Sequence, residues 1–248
     1  PGTTDQLAHY RNNKISLRID AHLNKQHQIS ITGRWNEDYR EQAFPQHAVI
    51  LSFSNNIKYS NQQQLTVSAE WKKSWRNQMQ NRFSFYFNQH HRITLPKIQA
   101  YPTIRILDGE GIIVMGANDE TYQNRSQQKS VQIINRLQWL TGMHLIEAGI
   151  DFQFHQLNNN FIPNGHGTYF YFGISDFVQN RKPAEFIINQ KTTEWMENDY
   201  LSGIHQIKKA VFLNYRLLLK SNMQLQTGVR LQRAYFINAN ETDSFTQH

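Results

Sequence analysis

The chain of 248 residues lacks cysteine, has only 6 prolines and 12 glycines, and contains no long hydrophobic run. Without cysteine it can form neither a disulfide framework nor a thiolate metal site. A membrane-spanning helix requires about 20 consecutive, mostly apolar residues, so one is excluded here. Charged residues make up 18% and the mean hydropathy is -0.67, averages that conceal any regular alternation of polar and apolar positions.

Such an alternation is the main feature of the sequence. Apolar residues occupy most second positions from Val131 to Trp139 and again from Ile146 to Phe154, with Thr141-Gly142-Met143 between them. Because successive residues of a strand point to opposite faces, each segment predicts a strand with one apolar and one polar face. About ten residues suffice for a tilted strand to cross a bilayer, whereas soluble sandwiches use shorter strands. The pattern favours a membrane-spanning hairpin.

Similar segments recur along the chain and predict an all-β, antiparallel, up-and-down transmembrane β-barrel with about ten strands. Connections near residues 25, 61, 90, 141 and 221 are predicted to be tight, and those near 36, 74, 107 and 156 to be longer. Alternate connections of an antiparallel meander lie at the same end. The asymmetry is typical of outer-membrane barrels, which have short periplasmic turns and long extracellular loops. We therefore expect long extracellular loops near 107–129 and 156–206.

Charged residues within the predicted strands take the positions opposite the apolar set. A cation on the lipid face near the midplane would cost roughly 2–4 kcal/mol. The net charge of +7 is spread singly over different strands, which argues against nucleic acid as a partner and is consistent with a polar lumen or contact with anionic lipid. The residues predicted to face the lumen are Arg18, Asp20, Arg34, Glu70, Arg136, Glu147, Asp151, Arg216 and Arg230.

Aromatic residues are predicted to form two girdles, one at each membrane interface. Three lie just before predicted tight turns, and three lie most of a strand away from them. The first group is Tyr59, Phe87 and Trp139, and the second is Trp35, Trp71 and Phe154.

The sequence predicts no catalytic residue, no metal site and no cofactor. His90 and His91 fall in a predicted turn, and neighbouring strand residues face opposite ways. Glu147 and Asp151 share a face but lie about 13 Å apart, too far for a glycosidase pair. Candidate ligand contacts fall instead in the long loop after Phe154, where His166 either touches a ligand or marks a turn. These candidates are Asn159, Asn164, His166, Tyr169 and Tyr171.

Three motifs in the second half resemble TonB-dependent outer-membrane receptors, particularly the large SusC/Oar-like transporters of Bacteroidetes. "NRLQWLTGMHLIEAGIDF" at 135–152 resembles a barrel hairpin of that family. "LNNNFIPNGHGTYFYFGISDFVQNRKPAEF" at 157–186 is similar to the loop that follows it. "FLNYRLLLKSNMQLQTGVRLQ" at 212–232 is similar to the next hairpin, with an aromatic-Arg pair before the turn.

The resemblance implies that residues 1–248 are an arc of a 22-stranded barrel, whose plug domain is not present in this chain. It implies uptake of a bulky nutrient (a glycan, peptide or metal chelate) across the outer membrane of a Gram-negative bacterium. The implied partners are outer-membrane lipid and lipopolysaccharide, the rest of the barrel and the plug, the inner-membrane TonB complex acting through the plug, and a surface lipoprotein lid. The chain opens at Pro1 without a leader, so we expect a removed signal or a piece of a longer polypeptide.

Two other functions remain open from the sequence. The first is a complete small outer-membrane barrel that acts as a porin, adhesin or surface hydrolase. The second is a soluble β-rich binding protein, in which the apolar face would point inward with the same alternation.

Overall fold

The computed structural model describes residues 9–43, 49–53, 55–75, 78–98, 101–189, 202–220 and 223–238. In this part of the chain the elements are, in order, β1 (Tyr10–His22), β2 (His27–Ala43), β3 (Ile50–Ser52), β4 (Ile57–Trp75), β5 (Met79–Pro96), β6 (Thr103–Asp108), β7 (Gly111–Gly116), β8 (Tyr122–Thr141), β9 (His144–Ile162), β10 (Thr168–Tyr171), α1 (Ile174–Val178), β11 (Glu185–Ile187), β12 (Ser202–Lys220) and β13 (Met223–Asn238). No helix among these elements is long and apolar enough to cross a membrane.

Eight long strands form the main sheet, in the order β1-β2-β4-β5-β8-β9-β12-β13. All neighbours pair antiparallel. The connections β1–β2, β4–β5, β8–β9 and β12–β13 are short and lie at one end, called here the tight-turn end. The other three connections are long and lie at the opposite, long-loop end. The predicted alternation of tight and long connections is confirmed.

Several of the predicted connections are placed wrongly. The turns expected near 61 and 90 lie inside β4 and β5, and the long connection expected near 74 is the tight turn between these strands. Their amide-rich segments stay extended because they bond across the sheet: Gln63 Nε2 donates to Glu37 Oε1 at 3.3 Å, and Arg92 Nε donates to Ser60 Oγ at 3.2 Å. Merging these segments gives eight long strands instead of about ten.

The predicted long loops also differ in extent. Within 107–129 lies strand β7, and β8 already begins at Tyr122. At 156–206, β9 continues to Ile162 and β12 begins at Ser202, while residues 190–201 lie outside the described residues. Beyond the apolar alternation the strands continue with polar residues on both faces, which hydropathy alone does not distinguish from a loop.

The two faces of the main sheet differ in exposure as the alternation predicts. The apolar face carries side chains in contact with solvent rather than with protein, such as Ile150, 56% exposed, and Val229, 56% exposed. Side chains on the opposite, polar face are more buried: Asp151 is 7% exposed and Ile134 is 9% exposed. Because the apolar side chains pack against no other layer of the residues that the structure describes, the apolar face suits contact with lipid.

Two of the aromatic residues predicted to form girdles lie at the end of the sheet opposite to the one predicted. Trp71 and Trp139 are close to the tight-turn end, in β4 and β8. Tyr59 lies near the long-loop end of β4, and Phe87 lies midway along β5. Tyr59 and Trp71 change ends and Phe87 lies in mid-strand because the turns near 61 and 90 do not exist. Trp35 lies midway along β2, and Phe154 lies slightly nearer the long-loop end of β9.

The three long connections build a second sheet, called here the loop sheet, in the order β11-β10-β6-β7-β3. Its strands come from all three connections: β3 from the first, β6 and β7 from the second, and β10 and β11 from the third. The pairings β6–β10 and β3–β7 are parallel and join different connections. The loops at this end are therefore one folded unit and not independent segments.

Candidate functional site

The polar face of the main sheet holds a network centred on Asp151. Its Oδ2 accepts from Arg230 Nη2 at 2.9 Å, and its Oδ1 accepts from Gln132 Nε2 at 3.0 Å. Gln153 Nε2 also donates to this carboxylate, at 3.1 Å, and His155 Nε2 lies 3.2 Å from Gln153 Oε1. The register of β8, β9, β12 and β13 brings these groups together. The carboxylate is thus buried, paired and fixed in position.

A second carboxylate on the same face lies nearer the tight-turn end. Glu147 accepts from Gln138 Nε2 at 2.6 Å and from Asn214 Nδ2 at 3.1 Å. The remaining residues predicted to face the lumen also lie on the polar face but in separate places. Arg18 pairs with Asp20 at 2.8 Å, Glu70 pairs with Lys72 at 3.2 Å, Arg136 is opposite Arg82 in the register, and Arg34 and Arg216 lie on β2 and β12.

A groove of about 290 Å³ opens on the polar face next to the Asp151 network, towards the long-loop end. Its walls come from five strands and combine three amides, a hydroxyl and an imidazole with two aliphatic side chains and a phenyl ring. The polar groups offer both donors and acceptors to a ligand. The polar-face side chains that line it are Asn88, Gln128, Ser130, His155, Leu157, Ile204, Gln206 and Phe236.

The loop sheet is held by buried polar groups as well as by the buried side chains of Ile106 and Val114. Asn56, 1% exposed, donates from Nδ2 to the carbonyls of Ala117 at 3.0 Å and Gly116 at 3.3 Å, and accepts from Asn118 Nδ2 at 3.3 Å. Thr103 Oγ1 donates to the carbonyl of Ala117 at 2.5 Å. These bonds fix the ends of β6 and β7 against the segment after β3.

Three of the residues predicted to contact a ligand, Asn164, Tyr169 and Tyr171, make contacts within the loops; ligand binding by these residues stays a prediction. Asn164 Oδ1 accepts from Thr168 Oγ1 at 2.8 Å. Tyr169 stacks on Phe186 with ring centroids 4.5 Å apart, and Tyr171 packs edge-on against Phe177 at 5.4 Å. Of the candidates, Asn159 lies in β9, and His166 is in the turn before β10.

The His166 ring meets the ring of Tyr122 edge-on, with centroids 4.6 Å apart. Its burial there lowers the pKa of the imidazole. The histidine is therefore neutral at physiological pH and is part of the packing of this turn. Among the described residues, no group of three or more His, Asp or Glu side chains could hold a metal ion.

Sequence reasoning missed two parts of this end of the molecule. The sequence predicts loops at the groove residues Gln128 and Gln206, although their even positions continue the polar face of β8 and β12. Phe172, 75% exposed, precedes the short helix α1, and Val178, 73% exposed, is the last residue of this helix. A five-residue helix is too short to produce a detectable hydrophobic period.

We expect Asn56→Ala to destabilise the loop sheet by about 1–2 kcal/mol, because the carbonyls of Gly116 and Ala117 would each lose a donor and the Asn118 amide would lose its acceptor. Limited proteolysis and hydrogen exchange at β3 and β7 would measure this. Asn13→Ala is the matched control, since its amide bonds Glu37 at an exposed position of the main sheet. Equal protection of the loop sheet in both variants would contradict the expectation.

Comparisons with known proteins agree with this architecture. The family model described as an outer membrane beta barrel domain matches residues 3–246. Among solved structures, the chain is similar to the outer membrane transporter YddB from Escherichia coli, with a TM-score of 0.60 and 10% identity, over 91% of this chain and 28% of that one. At this identity the similarity concerns the fold alone. A search of curated proteins finds no match.

The open polar face, the lipid-suited apolar face and the one-sided loops are the features expected of a protein in the outer membrane of a Gram-negative bacterium. The family model covers nearly the whole chain, and so the chain belongs to the outer membrane beta-barrel domain family.

Proposed function

We propose that the chain is an arc of a TonB-dependent transporter barrel that takes up a bulky polar nutrient. The observation that carries the proposal is an open main sheet with a hydrogen-bonding groove on its polar face. Among the described residues, no strand pairs with the outer edge of β1 or of β13. Unpaired edges do not persist in lipid, so further strands would complete the barrel. Similarity to 28% of a larger outer membrane transporter supports this.

The proposal assigns an orientation and a set of partners. The tight-turn end faces the periplasm and the loop sheet lies outside the cell, as is usual for such barrels. The polar face then lines the lumen, where barrels of this size hold a plug. The plug would connect the barrel to the inner-membrane TonB complex, and a surface lipoprotein lid would meet the loop sheet.

The groove favours a glycan or a peptide over a metal chelate as the cargo. Its amides from Asn88, Gln128 and Gln206 match hydroxyl and peptide groups, and Phe236 offers a ring face for stacking. Ser130 and His155 of the groove are opposite each other in the register, and His155 Nε2 lies 3.2 Å from Gln153 Oε1. Uptake requires no covalent chemistry of these groups. The proposed function is therefore transport without catalysis.

The test compares cells that carry the intact transporter with cells that carry Gln128→Ala/Gln206→Ala. Growth would be measured on single oligosaccharides and single oligopeptides, each as the sole nutrient. We expect uptake of the cargo to fall about tenfold, since each lost hydrogen bond contributes roughly 1 kcal/mol. Gln127→Ala/His205→Ala is the matched control, because these neighbours lie on the same strands and face the other way.

A protonophore separates the alternatives. Uptake through a TonB-dependent transporter stops when the proton gradient is dissipated, whereas diffusion through a porin continues. A surface hydrolase would release products into the medium without any gradient. If both double variants grow as the unmodified cells do, the groove is not on the transport path.

A further inference from the structure

Two adjacent cations lie on the apolar face of the main sheet, at positions where the alternation predicts apolar side chains. Lys209 continues the apolar series of β12, and Arg233 continues that of β13. They are directly opposite each other in the register, and Lys209 is also opposite Phe152 of β9. Both side chains are exposed. Directly opposite residues of an antiparallel pair lie about 5 Å apart on the same face, so the two charges are close neighbours.

Neither cation is neutralised by a described residue. None of the ion pairs in the described ranges includes Lys209 or Arg233. Both instead approach the ring of Tyr235, with Lys209 Nζ at 5.8 Å and Arg233 Cζ at 4.9 Å from its centroid. Two adjacent positive charges without a carboxylate on a lipid-suited surface call for an anionic group from outside the protein.

The distance of Lys209 and Arg233 from the tight-turn end corresponds to the position of a membrane interface. Arg233 is ten residues beyond Met223, where β13 begins, and Lys209 is eleven residues before Lys220, where β12 ends. At about 3.3 Å per residue and a tilt near 40°, both lie roughly 25 Å from the tight-turn end. That distance equals the usual height of the apolar band, about 25 Å. Phe154, slightly nearer the long-loop end, is likewise ten residues into β9.

An apolar groove adjoins the two cations on the same face. It has a volume of about 440 Å³ and runs between β9, β12 and β13. Ile150, Val211 and Leu231, which are directly opposite one another in the register, form its floor one step nearer the tight-turn end. The surface therefore combines two adjacent positive charges with an open apolar groove. This combination matches the charged headgroup and the acyl chains of an anionic lipid.

We propose that Lys209 and Arg233 bind a phosphate of a phosphorylated saccharolipid of the lipid A class, with an acyl chain in the groove. Two neighbouring cations match a phosphomonoester, which carries nearly two negative charges, better than the single charge of a phospholipid diester. Tyr235 adds a ring face beside the sugar. The site rests on the proposed orientation, with the long-loop end outside the cell, but not on transport.

Native mass spectrometry of the purified full chain in detergent would test the site, with diphosphoryl lipid A as the titrated probe. We expect K209Q/R233Q to bind at least about tenfold more weakly than the unmodified protein, since each interfacial cation contributes about fivefold in affinity. K73Q is the matched control. Lys73 is also on the apolar face and also near an aromatic ring, 4.8 Å from Trp75, but at the tight-turn end.

A second comparison does not depend on any variant. Lipid A stripped of both phosphates should bind the unmodified protein about as weakly as diphosphoryl lipid A binds K209Q/R233Q. Equal affinity of the protein for the two lipids would overturn the proposal, and so would binding of phosphatidylglycerol as tight as that of lipid A. Because binding is measured without transport, loss of uptake in cells and loss of this site are distinguishable.

Discussion

Arg230→Leu is expected to lower the free energy of unfolding by about 3 kcal/mol. Asp151 is only 7% exposed and would keep its charge after losing its cationic partner at 2.9 Å. Breaking a buried ion pair by removing one partner costs about 3–5 kcal/mol. The lower value applies because Arg230 is 43% exposed and because Gln132 and Gln153 still donate to the carboxylate.

Urea unfolding in lipid vesicles and the temperature at which heat-modifiable mobility is lost on gels would measure this effect. The double variant Asp151→Leu/Arg230→Met should recover most of the loss, because no uncompensated charge remains. Arg18→Leu is the control: its pair with Asp20 is exposed, and little change is expected. A stability of Arg230→Leu close to that of the unmodified chain would mean that water already reaches Asp151.

Leu213→Arg is expected to cost about 2–4 kcal/mol, whereas Asn214→Arg should be tolerated. Leu213 is 48% exposed on the apolar face, seven residues from the tight-turn end of β12, and thus within the lipid. Arginine near the midplane carries this penalty in barrels. At the next position, Asn214 donates to Glu147 at 3.1 Å, so an arginine there meets a carboxylate.

Folding titrations into vesicles would measure the two variants side by side. Each variant introduces an arginine into the same strand. The difference between their folding free energies therefore depends on which face of the sheet carries the arginine. Equal costs for the two would contradict the assignment of faces. A larger cost for Asn214→Arg than for Leu213→Arg would contradict it as well.

The faces of the strands could be predicted from the sequence because lipid and lumen demand opposite chemistry at alternate positions. Strand ends could not be predicted in the same way. The segments at 61–63 and 89–92 carry amides and histidines on both faces, a composition shared by turns and by strands outside the membrane. Their extended conformation depends on partners such as Glu37, which lies 26 residues from Gln63. Composition contains no information about that pairing.

The contacts of the candidate site could not be predicted from the sequence either. Alternation placed Asp151 and Arg230 on one face, but their contact joins residues 79 apart and depends on the registers of three strands. In the loops, Tyr169 was a candidate ligand contact because it is aromatic and glycine-flanked. The structure pairs it with Phe186 through the short ladder of β10 and β11. The alternation of the long strands does not predict this pairing.

The length of the strands has a consequence for the cell surface. β8 has 20 residues, about 50 Å along the barrel axis at a tilt near 40°, of which the membrane requires about 25 Å. In the proposed orientation the remaining half stands as a rigid collar above the headgroups. The loop sheet would then project into or beyond the sugar layer of the surrounding lipids, where phages and antibodies reach it first. Selection by such attackers would act on the loop sheet, while the collar keeps the polar groove out of their reach.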